Sequence, residues 1–150
     1  MIKVVADTNV IVSAYLAPGG KPAGILSLAR VGKINILLSP QIIDEIERIL
    51  LSPKLTKIHR ATPKEIRRFI KAFREVVTLT PGALEVDAIR DDPDDNKILA
   101  CALEGKADYI VSGDHHVTDL KSFQGIPIVN PDAFLSSLQG KWTGKDTRAT

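Results

Sequence analysis

The chain has 150 residues, 44% hydrophobic and 25% charged, enough for one domain with a buried core and short for two. Its single cysteine, Cys101, excludes an internal disulfide and a cysteine-based zinc site. The net charge of +2 is unevenly spread: eight Lys or Arg and one acid lie between Lys54 and Arg74, and six acids and one base between Glu85 and Asp95.

"IKVVA" is a β-branched run that reads as a buried strand. In "PAGILSLARVGK", Ile25, Leu26, Leu28 and Ala29 recur at helical spacing. "INILL" is a second strand. "SPQIIDEIERIL" begins a helix with Ser39 as cap and Pro40 at the first position, and its apolar stripe is Ile42, Ile43, Ile46, Ile49 and Leu50. "SPKL" interrupts that helix or starts another at Pro53. "TPKEIRRFIKAFREV" repeats the start signal, with Thr62 and Glu65 spaced as a capping box. "VVTLT" reads as a strand. A helix is expected from about Asp94 to Glu104, with Gly105 as its stop. "YIVS" and "IPIV" are further strands, and Asn130 caps a short last helix. The expected domain spans residues 1–138, and 139–150 is expected to be a flexible tail.

This alternation predicts an α/β fold: a three-layer α/β/α sandwich around a mainly parallel sheet, with strands covered on both faces. No run approaches the roughly 20 apolar residues of a membrane span. The N-terminal apolar run, cut by Lys3 and Asp7, is too short for a signal peptide. The expected location is the cytoplasm, without a membrane partner. "GGKPAG" lacks the spacing of a phosphate-binding loop and reads as a turn.

Sites on an open parallel sheet form beyond the C-terminal ends of the strands. Asp7 and Asp114 stand there, after "IKVVA" and "YIVS". Taken singly, Asp7 also reads as a helix cap and Asp114 as a turn residue. Asp95 lies three, four and seven residues before Ile98, Leu99 and Ala102, on the helix face that meets the sheet. It also suits the helix dipole. Glu45 borders the apolar stripe of its helix, with Asp44 and Glu47 as competitors and a solvated face as the plain alternative.

Together, four carboxylates converging on one crevice would repel, and a hard divalent cation such as Mg2+ or Mn2+ would relieve them. The histidines offer no zinc pattern: His115 and His116 are adjacent and His59 is distant. None is expected to ligate metal. Such a site suits phosphate-ester hydrolysis, with bases of the 54–74 section, chiefly Lys64, Arg67, Arg68 and Lys71, holding other phosphates. Thr8 and Asn9 would orient Asp7 or bound water.

The segments "VVADTNVIVSA", "LSPQIIDEIERIL", "DPDDNKILACALEGKADYIVSGDHHVTDL" and "IPIVNPDAF" resemble the PIN-domain ribonuclease family over roughly residues 2 to 138. The resemblance implies that Asp7, Glu45, Asp95 and Asp114 are the catalytic, metal-holding acids, and that Ser112 is a hydroxyl partner in the "SGD" turn. It implies a Mg2+- or Mn2+-dependent nuclease acting on RNA. Small members are often toxins of toxin–antitoxin pairs, which form homodimers and bind a cognate antitoxin protein; others process RNA without a toxin role. Three rival readings remain at this level. A dehalogenase-like phosphatase would need an acid where Asn9 stands. A response-regulator-like switch would need a different strand order and a later Lys. A non-catalytic α/β module would bind RNA or a protein without cleaving.

Overall fold

The computed structural model describes residues 1–86 and 93–141. In chain order the strands are β1 (Ile2–Ala6), β2 (Ile34–Leu38), β3 (Thr78–Leu79), β4 (Tyr109–Val111), β5 (Ser122–Phe123) and β6 (Ile126–Val129). The helices are α1 (Thr8–Leu16), α2 (Lys21–Arg30), α3 (Pro40–Leu50), α4 (Pro53–His59), α5 (Pro63–Val76), α6 (Pro93–Glu104), α7 (His115–Thr118) and α8 (Pro131–Lys141). The sheet order is β3-β2-β1-β4-β6-β5, parallel throughout except for the β5–β6 pair. Helices cover both faces, which completes the three-layer α/β/α sandwich with a largely parallel sheet.

β1 is central, and its C-terminal half is closed to water. Val4, Val5 and Ala6 are fully buried; Val4 and Val5 pair with β2 on one side, and all three pair with β4 on the other. Burying a valine side chain contributes roughly 1.5–3 kcal/mol, which holds the C-terminal end of β1 in a defined place. The start signals hold in the structure. Ser39 Oγ accepts from Ile42 N at 3.3 Å, and Thr62 and Glu65 exchange the two bonds of a capping box. The open question at "SPKL" resolves as a separate helix, α4, capped by Ser52.

The structure departs from the expected elements at four points. "VVTLT" contributes only Thr78 and Leu79 to the sheet, because α5 runs on to Val76. β5 and the one-turn α7 were not foreseen, being too short to carry a periodicity. Gly105 does follow α6, but Lys106 takes the left-handed conformation, φ 54°. Ala107 N reaches back to Ala102 O at 2.9 Å, closing the helix end. Gly105 is required instead by close packing: a Cβ there would stand 2.7 Å from Leu37 Cδ1 and 3.1 Å from Thr80 Cγ2. The last helix continues to Lys141, past the expected boundary at 138. The expected tail beyond it, 142–150, lies outside the described residues, as do Asp91 and Asp92. No described helix is long and apolar enough to cross a membrane.

Gly105→Ala is therefore expected to destabilise the protein by about 1–3 kcal/mol, the usual range for overpacking. Gly19→Ala, where a Cβ meets nothing within 4 Å, should change little. Urea denaturation checks both, and equal midpoints for the two variants would contradict the packing argument.

Candidate functional site

The backbone hydrogen bond from Asp7 N to Val111 O, 2.8 Å, extends the β1–β4 pairing to the first residue beyond the strand. The chain then turns into α1, with Val10 N bonded to Asp7 O at 2.9 Å. The Asp7 side chain makes no capping hydrogen bond, so capping does not explain the carboxylate. Instead Ser112 Oγ donates to Asp7 Oδ2 at 2.6 Å. Ser112 is fully buried just past β4, and its Oγ also accepts from Asp114 N at 3.0 Å. One hydroxyl thus sets the spacing between the ends of β1 and β4.

Asp114 has a share in both of the roles that its sequence position suggested. It caps α7, with Oδ1 accepting from His116 N at 2.9 Å, and its carboxylate also lines the cleft shared with Asp7. Asn9 Oδ1 accepts from Gly113 N at 3.4 Å, tying α1 to the same turn. An amide in that structural role cannot supply the acid that the phosphatase reading needs.

Asp95, at the start of α6, is 5% exposed. Its Oδ2 takes no hydrogen bond from the described residues, although the residue does interact elsewhere. Ligand atoms of Asp95, Asp114 and His116 all lie within 4.8 Å of one another. The imidazole was missed by sequence reasoning, and adjacency to His115 gave no signal. The cause is α7: its single turn starts at Asp114 and brings the side chain two residues later back over the cleft edge.

Glu45 is 7% exposed on α3, whereas Asp44 is exposed and pairs with Arg74 at 3.6 Å. That decides between the neighbouring acids in favour of Glu45. Its Oε2 lies 3.6 Å from Lys97 Nζ on α6, so this arm of the crevice already has a cation. The four acids are consequently not equivalent: Asp95 and Asp114 stand close together, the Asp114 charge reaches Asp7, and Glu45 meets a lysine.

Asp7, Glu45, Asp95 and Asp114 line one cleft of about 430 Å³, together with Thr8 and Asn9. Lys64, Arg67, Arg68 and Lys71 do not line it; they occupy the exposed face of α5, opposite Ile66, Ile70 and Phe73. Burial raises the Asp7 pKa above the ordinary 3.8. The Ser112 hydrogen bond opposes this, followed by the Thr8 amide, the Asp114 charge adds to it, and the Asn9 amide lowers it least, neither amide forming a geometric cap. Desolvation wins, so a cation beside this carboxyl would favour its ionised form. Carboxylate oxygens with one imidazole make a donor set that fits Mg2+ or, better, Mn2+. Cys101 supplies no nucleophile: burial pushes its thiol up to about 11.

The raised Asp7 pKa fixes the sign of a stability effect. The folded protein holds a proton that the unfolded chain releases, so this contribution is present below pH 3.8 and lost as pH rises through the folded value. At neutral pH and without divalent ions, Asp7→Asn should melt a few degrees higher than wild type. Added Mn2+ should raise the wild-type midpoint and leave the variant nearly unmoved. Thermal melts in EDTA and in Mn2+ check this; a lower EDTA midpoint for the variant would contradict it.

The PIN domain matches this chain over residues 3–116, a span that holds all four acids and His116. An uncharacterized protein of Methanocaldococcus jannaschii is 39% identical over 120 residues, covering 80% of this chain and 76% of that one. With the family's match extending from β1 through the Asp114 turn, the chain belongs to the PIN-domain family.

Proposed function

We propose that the protein is a Mg2+- or Mn2+-dependent endoribonuclease and the toxin of a toxin–antitoxin pair. The observation that carries the nuclease reading is the convergence of Asp95, Asp114 and His116 beside Asp7 at the C-terminal edge of the sheet. A bound divalent cation would supply the positive charge against which water and a phosphodiester react. Asp7, Asp95 and Asp114 would hold it, with His116 as a further ligand. Ser112 would keep Asp7 aimed into the cleft by donating to its Oδ2. Thr8 and Asn9 would line the place of the attacking water. Glu45, paired with Lys97, would border the phosphate side.

RNA as substrate and the toxin role rest on family membership. So do a homodimeric state, a cognate antitoxin covering the acidic cleft and a cytoplasmic location. A toxin should arrest growth when expressed alone in a bacterial host, and Asp7→Asn should not.

Incubating RNA with the protein should give internal cleavage in Mg2+ or Mn2+ that stops in EDTA. Asp7→Asn and Asp95→Asn should stay folded and lose most of it. Ser112→Ala should lower the rate, and His116→Ala the Mn2+ affinity, each by about 10–100-fold. Undiminished, metal-dependent cleavage by both Asp variants would overturn the assigned site. RNA binding without cleavage by wild type would favour a binding module.

A further inference from the structure

We propose that the outer arm of the cleft is a subsite for one unpaired nucleotide beside the scissile phosphate, with Lys54 holding the adjoining phosphate; the proposal deepens the nuclease reading and rests on it. The cleft is continuous from the acids outward. Its outer arm is lined by Val12 and Ser13 of α1, Ile49 of α3, and Lys54 and Leu55 of α4. Of the described lining residues, Lys54 is the one cation. An acidic end that needs a divalent ion repels a polyanion, so a cation at the opposite end complements the next phosphate along the strand.

Val12, Ile49 and Leu55 give the face of a base an apolar surface, and Ser13 gives it an exposed hydroxyl. Ser52 also borders the arm, but its Oγ is already committed, donating to Ile49 O at 2.7 Å and accepting from Leu55 N at 3.4 Å. It shapes the arm and does not read a base. The other end of α4 is held equally firmly: His59 Nε2 meets Leu50 O at 2.8 Å, and Ala61 N donates to His59 Nδ1 at 2.9 Å. The His59 ring also stands edge-on to Tyr15 of α1, centroids 5.6 Å apart. The arm is therefore preformed, with both walls tied together behind it.

The size of the cleft selects the strand state. About 430 Å³ for the whole cleft lies in the range of small-ligand pockets. It admits a splayed nucleotide, whereas a duplex must lie across the mouth and leave the arm unfilled. Aliphatic contact and a single phosphate contact predict little choice of base. The basic face of α5 lies outside the arm, so its lysines and arginines should matter less.

The test uses short single-stranded RNA, its DNA counterpart and duplex RNA, with anisotropy for binding and cleavage kinetics in Mn2+. Lys54→Ala should weaken single-stranded RNA binding several-fold, raise KM more than it lowers kcat, and reduce the salt slope by about 0.7. Leu55→Ala should raise KM without changing the salt slope. Both should keep wild-type Mn2+ affinity, which separates substrate contact from damage to the ion site. The Arg67→Glu, Arg68→Glu double variant should have the smaller effect. Unchanged binding and slope in Lys54→Ala, a larger effect from α5, or duplex cleaved as well as single strands would each overturn the subsite while leaving the nuclease reading intact. Equal use of DNA leaves the subsite standing and removes RNA selectivity from it. Wild type that cleaves nothing in Mn2+ fails the nuclease reading, and the subsite falls with it.

Discussion

The hydroxyl of Ser112 is the joint on which the site depends. It donates to the Asp7 carboxylate and accepts from the Asp114 backbone, so two acids from different strand ends share one partner. A hydrogen bond to a charged group contributes roughly 1.5–3 kcal/mol, yet it does not offset burial, since the Asp7 pKa is still raised. The site is thus held in shape against its own electrostatics. The parallel sheet makes this possible: β1 and β4 are adjacent, parallel and end at the same edge.

Charge is balanced locally around that joint. Lys97 faces Glu45, Arg74 faces Asp44, and Lys54 stands at the outer arm. What remains concentrated is Asp7, Asp95 and Asp114, with an imidazole within reach. Carboxylates gathered in a largely buried cleft cost stability, and a bound divalent cation would offset their mutual repulsion.

Much of this was legible in the sequence because the signals are local. "IKVVA" ending on Asp7 needs only strand periodicity and the rule about strand ends, and Asp95 needs only helical spacing to the apolar residues after it. Ser39, Thr62 and their following prolines announced helix starts that the structure keeps. The rest was not local. His116 reaches the acids through a one-turn helix with no periodic signature. Gly105 was legible as the helix stop, but its close contact with Leu37, far off in sequence, was not. The basic section pointed to α5 by density of charge, but density does not tell which face a helix turns to the cleft. Lys54 lines it from the first turn of α4, whose start at Ser52 the sequence left open.

A crystal soaked in Mn2+ and measured at the manganese absorption edge would locate the ion directly. The account predicts an anomalous peak bounded by Asp7, Asp95 and Asp114, with the His116 imbidazole nitrogen within bonding distance. A peak held at another place on the surface, or no peak at saturating Mn2+, would contradict it.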